Sequence, residues 1–162
     1  MARILVTGGT GYIGSHTVVE LMQQGYDVTI VDNLSNSSVD VLDGIAAIVG
    51  RKPEFANVDC CHYVELDHLF TTYPDIIGVI HFAASKAVGE SVEKPLLYYR
   101  NNICSLVTLI EVMKSHQVQN LVFSSSCTVY GQPDVLPVTE DAPIKVAESP
   151  YGNTKQINEE II

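Results

Sequence analysis

The sequence predicts an α/β fold, a doubly wound parallel sheet with helices on both faces. Three observations carry that expectation. Short β-branched runs recur along the chain, segments of helical periodicity separate them, and the first run ends in a glycine cluster that leads directly into the first helical segment. Strand and helix alternating at this spacing form βαβ units, and their right-handed crossovers lay helices on both faces of the sheet.

The elements follow in order. Arg3 to Thr7 is the first strand, and Gly11 to Gln24 the first helix, with Ile13, Val18, Leu21 and Met22 near one face. Asp27 to Val31 is the second strand and Val39 to Val49 the second helix. Phe55 to Val58, Tyr63 to Tyr73 and Ile76 to Phe82 continue the alternation as strand, helix and strand. A long helix is expected from Leu96 to His116, with Pro95 suited to its first turn, then a fifth strand from Leu121 to Ser125. Ser149-Pro150-Tyr151 opens a last helix through Asn153, Lys155, Ile157, Glu160 and Ile162 that meets no stop signal. Residues 1–162 therefore read as one domain cut within a helix, a piece of a longer protein.

Composition narrows the partners. Of the 162 residues, 46% are hydrophobic and 17% charged, which describes a globular chain. The net charge of −10 argues against nucleic acid or an anionic membrane, both of which attract basic surfaces. No apolar run approaches the ~20 residues of a membrane span, and the N-terminus lacks the form of a signal peptide. Cys60, Cys61, Cys104 and Cys127 form no C-x-x-C pair and no histidine pair has zinc spacing. We expect reduced thiols, a cytoplasmic protein and no metal. His81 lies in an apolar run and is expected in the core.

Thr7-Gly8-Gly9-Thr10-Gly11-Tyr12-Ile13-Gly14 joins strand to helix and satisfies G-x-G-x-x-G through Gly9, Gly11 and Gly14. One glycine permits the turn, one admits a pyrophosphate to the backbone, and Gly14 lets helix and strand pack closely. Free N–H groups at a helix start then hold the phosphates. In this context the pattern marks a Rossmann-like dinucleotide site, with Gly8, Tyr12 and Ile13 among its contacts. Asp32 ends the second strand about 20 residues on, where a carboxylate accepts from ribose hydroxyls and repels a 2′-phosphate. No Lys or Arg follows before Arg51, so NAD is expected rather than NADP. Asn33, Ser35 and Asn36 are polar partners of the nucleotide or a helix cap. Asp59, with Cys60 beside it, meets the adenine edge or is a turn residue.

Tyr151 and Lys155 form a Y-x-x-x-K pair on one helix face, about 6 Å apart along the axis. An ammonium there favours a phenolate, so the pair suits proton transfer during hydride transfer. Ser126 lies near the carboxyl end of the fifth strand, where open α/β sheets place ligands, and is read as a hydroxyl for the substrate or the tyrosine.

Thr7 to Gly14, Ser124 to Gly131 and the Tyr151/Lys155 pair resemble the extended short-chain dehydrogenase/reductase family that acts on nucleotide sugars. The run from His81 to Ser91, with Lys94-Pro95 and Tyr98-Tyr99-Arg100-Asn101-Asn102, is similar to the UDP-sugar 4-epimerases of that family. The resemblance covers essentially the whole chain. It implies that Phe82, Ala83, Ala84, Lys86 and Asn102 line the NAD site, with Lys86, Ser126 and Tyr151 at the UDP-sugar substrate. It makes Ser126, Tyr151 and Lys155 the catalytic trio. It further implies interconversion of UDP-galactose and UDP-glucose through a 4-keto sugar, a C-terminal substrate domain absent from this chain, and an inactive fragment; it allows a homodimer. The 4,6-dehydratases of the family carry an Asp-Glu pair where this chain has Cys127-Thr128, so dehydration is not expected. Other nucleotide-sugar epimerases, UDP-glucuronate decarboxylases and a non-catalytic NAD-binding module stay open.

Overall fold

The structure, a computed structural model, describes residues 2–162. Its elements are β1 (Arg3–Thr7), α1 (Tyr12–Gln23), β2 (Asp27–Asp32), α2 (Val41–Val49), β3 (Glu54–Asn57), α3 (Tyr63–Thr72), β4 (Ile76–His81), α4 (Val88–Glu93), α5 (Pro95–Ser115), β5 (Asn120–Phe123) and α6 (Pro150–Ile161), with a 3-10 turn at Cys127–Tyr130. They group into two compact units. The first takes the chain to Ala83 together with Thr108–Ser124; the second takes Ala84–Val107 together with Ser125–Ile162.

The first unit holds a five-stranded parallel sheet in the order β3-β2-β1-β4-β5. β1 is central because it has no polar face to give to water: Leu5, Val6 and Thr7 are fully buried. Leu5 lies opposite Thr29 of β2 and Val79 of β4. Successive strand residues point to opposite faces, so each strand feeds two layers. Leu5, Val31 and Val79 pack with Leu66 and Phe70 of α3 and with Leu109, Val112 and Met113 of α5. Val6, Val28 and Ile30 pack with Val18 and Met22 of α1 and with Leu42 and Ile45 of α2. This is the doubly wound arrangement expected. Each fully buried aliphatic contributes about 1.5–3 kcal/mol, whereas an exposed ion pair such as Arg51–Asp27 contributes about 0–1 kcal/mol, so the two layers carry the stability.

The second unit contains α4, the first part of α5, the 3-10 turn and α6. Pro95 is the first residue of α5, where its missing N–H costs nothing. Ser149 caps α6 by accepting from the Gly152 N–H at 3.1 Å, with Pro150 following it. Tyr98 is fully buried; its hydroxyl accepts from the Ala87 N–H at 3.1 Å and donates to Glu90 at 2.9 Å, which fastens α4 to α5.

Element boundaries differ from expectation in informative places. The fifth strand is Asn120–Phe123 rather than Leu121 to Ser125: the Ser124 N–H still reaches the His81 carbonyl at 3.1 Å, and beyond it the chain leaves the ladder. α4 was not expected, since Val88-Gly89-Glu90-Ser91-Val92-Glu93 shows little apolar periodicity. It forms around buried Ser91, whose hydroxyl donates to the Val88 carbonyl at 2.6 Å.

Candidate functional site

The glycine loop of the first unit is built by close backbone approach. Gly8 has a φ of +69°, and a Cβ there would lie 2.8 Å from the Ala83 nitrogen. A Cβ on Gly14 would lie 2.2 Å from the Gly8 carbonyl oxygen, so no side chain fits where α1 leaves the loop. Gly11, by contrast, would meet only the Gly8 oxygen, at 3.2 Å. It is the N-cap of α1, it brings no side chain to cap the helix, and the first turn holds no acid. The first N–H groups of a helix have no acceptor within it. An uncapped start with a bare backbone fits a dinucleotide pyrophosphate. Tyr12 and Ile13 stand beside it, 77% and 62% exposed, apolar surface such a ligand could cover.

Asp32 ties this loop to the next. Its carboxylate accepts from the Thr10 N–H at 3.2 Å, the Leu34 N–H at 3.0 Å and the Ser37 hydroxyl at 3.1 Å. A carboxylate offers about four lone-pair positions, so capacity remains for a ribose hydroxyl. Asn33 donates to Asp59 at 3.0 Å, and Asp59 also accepts from the Cys61 N–H at 2.9 Å. Burial works to raise the Asp59 pKa, but these hydrogen bonds outweigh it and hold the carboxyl below its usual value. Asp59 thus holds the turn at Cys61. The Cys60 side chain packs in the core, and burial followed by the Asp59 charge pushes its thiol far up; only its backbone is left for a ligand. Asn36 is exposed. Phe82 and Ala83 are held by Thr7, whose carbonyl and hydroxyl accept their N–H groups at 3.1 and 3.3 Å. His81 is buried against Thr7 at 2.7 Å, the core position expected.

The second unit brings together Ala84, Lys86, Asn102, Ser126, Tyr151 and Lys155. On α6 the Lys155 ammonium lies 6.0 Å from the Tyr151 ring centre. Lys155 is 3% exposed, and burial lowers its pKa to about 8, with the charge of Glu159 one turn on working in the opposite direction. Glu159 accepts a short hydrogen bond from Ser125, the residue before Ser126. Ser126 caps the 3-10 turn: its oxygen accepts from the Thr128 N–H at 3.3 Å and the Thr128 hydroxyl at 2.9 Å. Both lone pairs are engaged, so toward a ligand this hydroxyl is a donor. Gly152 keeps α6 against that turn, since a Cβ there would lie 3.2 Å from Thr128.

Lys86 is exposed and Ala84 half-buried, on the segment between β4 and α4. Asn102 is buried on α5. Its amide is bonded to Ser85, Asn101 and Thr154, and these bonds fill its capacity. Thr154, Asn158 and Glu159 are the residues that sequence reading missed. The signal for them was position alone: Thr154 lies within the Y-x-x-x-K stretch, and Asn158 and Glu159 lie one turn beyond Lys155. Among the described residues no cluster of side chains could hold a metal, and no helix is long and apolar enough to cross a membrane.

Residues 4–162 match the model of the NAD dependent epimerase/dehydratase family. The chain is 53% identical over 160 residues to a UDP-glucose 4-epimerase of Dictyostelium discoideum, covering 99% of this chain and 46% of that protein. It is 48% identical over 166 residues to the UDP-glucose 4-epimerase of Homo sapiens, covering 99% of this chain and 47% of the relative. The crystal structure of UDP-glucose 4-epimerase from Bifidobacterium longum, in complex with NAD+ and UDP, superposes with a TM-score of 0.96 at 45% identity, over 99% of this chain and 48% of that one. The chain spans about half the length of the curated relatives it matches.

Proposed function

The chain belongs to the NAD dependent epimerase/dehydratase family, and from that premise we propose that the whole protein is a UDP-glucose 4-epimerase, interconverting UDP-galactose and UDP-glucose in the cytoplasm. The observation that carries this reading is the buried Lys155 beside Tyr151 on α6, with a donor hydroxyl at Ser126 in the same unit.

In this reading the glycine loop and Asp32 of the first unit would hold NAD. Bound NAD supplies reversible hydride acceptance at the sugar C4, through a 4-keto sugar. Tyr151 takes the proton from the C4 hydroxyl and later returns one. Lys155 supplies a positive charge 6.0 Å from the centre of the Tyr151 ring. Ser126, its lone pairs taken by Thr128, donates to the sugar oxygen. At the positions where dehydratases carry acids, Cys127 is a thiol and Thr128 spends its hydroxyl on Ser126, so the chain offers no carboxyl there to expel water.

The test is to incubate the full-length protein, without added NAD, with UDP-galactose and to resolve the products. UDP-glucose is expected. A 4-keto-6-deoxy sugar, or no product, overturns the assignment. Running the N-acetylated sugar in parallel measures breadth.

A further inference from the structure

Gln156 follows Lys155 on α6 and is half-buried. Its amide nitrogen donates to the Val129 carbonyl at 2.7 Å and to the Lys145 carbonyl at 2.5 Å, one acceptor for each of its two N–H groups. Val129 lies in the 3-10 turn that Ser126 caps. Inside that turn the Ser126 carbonyl accepts from the Val129 N–H at 3.2 Å, and the Thr128 carbonyl accepts from the Gly131 N–H at 3.3 Å. The Val129 carbonyl stands at the end of the turn, where a helix leaves carbonyls over, and Gln156 supplies its donor.

The turn meets α6 at a second place, Gly152, where a Cβ would lie 3.2 Å from Thr128. Gly152 and Gln156 are four residues apart and so share one face of the helix. Tyr151 and Lys155 repeat that spacing one residue earlier, so the stripe that grips the turn runs beside the stripe of the Y-x-x-x-K pair. Packing at Gly152 has no direction. Hydrogen bonds do, and those of Gln156 fix how the turn is rotated against the helix. The bond to Lys145 adds the returning end of the loop. There Gly131, with a φ of +57°, has no room for a Cβ, which would lie 2.5 Å from the Val146 carbonyl oxygen, and Gln132 donates to Glu148 at 3.0 Å. One side chain thus holds both ends of the segment between Val129 and Lys145.

We propose that Gln156 is a positioning residue for the reaction: its amide holds the 3-10 turn, and with it the Ser126 hydroxyl, in register with Tyr151 and Lys155. That Ser126 meets the substrate rests on the epimerase reading; the hold on Val129 and Lys145 does not. Methionine, of similar length, would keep the packing and leave two carbonyls without this donor. The turn would then be free to rotate about Gly152 and carry Ser126 away from the sugar oxygen, and a misplacement of about 1 Å is enough to slow a reaction.

Two measurements on the full-length protein with its NAD test this. By NMR, both side-chain amide protons of Gln156 should exchange with water far more slowly than those of an exposed glutamine. Exchange at the exposed rate overturns the proposal, and this needs no variant. The second is a double-mutant cycle on turnover of UDP-galactose. Gln156→Met should lower kcat by about tenfold and leave KM within about twofold, because it disturbs the reacting groups rather than uniform binding. In a Ser126→Ala background the same change should cost no more than about twofold, because residues acting through one another are not additive. An unchanged kcat, or a loss of the same size in both backgrounds, would separate Gln156 from the placement of Ser126 and overturn the proposal. Absence of turnover in the unmodified protein sinks the epimerase reading instead, and the exchange result still decides the hold on the turn.

Discussion

Lys155 places its ammonium 6.0 Å from the centre of the Tyr151 ring, one turn along the same helix, and keeps only 3% of its surface in water. In the proposed reaction this is the pair that handles the proton of the sugar hydroxyl.

Tyr151→Phe in the full-length protein should therefore lose about 10²–10⁴ in turnover, the usual worth of general acid–base catalysis. Lys155→Met should lose rate at neutral pH and recover part of it as the pH rises. Ser126→Ala should be milder. The measurement is the pH–rate profile of each variant with its NAD content checked; near-normal turnover by Tyr151→Phe with NAD bound would assign the base elsewhere.

The burial of Lys155 also has a stability signature. Its pKa is about 8 in the fold, against 10.5 for an ordinary lysine. Between those values the unfolded chain binds more protons than the folded one, so this group makes stability rise with pH across the window. Below it, the fold carries a constant cost on the order of 3 kcal/mol. Lys155→Met should raise unfolding free energy at neutral pH, and the gain should shrink as pH climbs through the window. Urea titrations at a series of pH values check this; a gain that grows with pH contradicts the burial argument.

Gly14→Ala should strip the protein of NAD and lower its melting temperature, because the new Cβ would lie 2.2 Å from the Gly8 oxygen. Overpacking of this kind costs about 1–3 kcal/mol or more. Gly44→Ala is the contrast: within α2 its Cβ would meet nothing within 4 Å. It should stabilise by about 0.5–1 kcal/mol and leave NAD in place. Calorimetry with nucleotide analysis of the purified variants separates the two.

Asp32→Ala should weaken NAD and narrow its advantage over NADP by about 1–3 kcal/mol, the scale of a charge-assisted hydrogen bond. Both effects are expected because the carboxylate holds Thr10, Leu34 and Ser37 in addition to its charge. Titration of both nucleotides into the apoprotein gives the two numbers. An unchanged preference would mean that discrimination lies elsewhere.

The sheet was legible because its central strands β1 and β2 are interior on both sides and so read as runs of Val, Ile and Leu, and the loop was legible because only glycine tolerates the approach of Gly8 to Ala83. α6 was legible from its cap, Ser149-Pro150. The hydrogen bonds of polar residues were not. Asp32, read as a ribose carboxylate, also accepts from Thr10, Leu34 and Ser37, and Asp59, read as an adenine contact or a turn residue, accepts from Asn33 and Cys61; backbone paths that spacing does not encode set these bonds. Asn102 read as a contact by resemblance, and only three-dimensional placement shows its amide filled by Ser85, Asn101 and Thr154. α4 escaped notice because its anchors, Ser91 and Glu90, are polar.

The two layers flanking β1 differ in how much of the chain they need. The buried residues of one layer, Val6, Val18, Met22, Val28, Ile30, Leu42 and Ile45, have all been made by Ile45. The layer of Leu5, Val31, Leu66, Phe70, Val79 and Leu109 waits for Met113. On the ribosome, then, the nascent chain can close one side of its sheet early while Leu5 and Val31 stay bare and the far edge of β1 lacks β4. Such an open, apolar edge invites other chains. The interval between synthesis of Ile45 and Met113 leaves that face of β1 bare, an exposure set by strand order rather than by final stability.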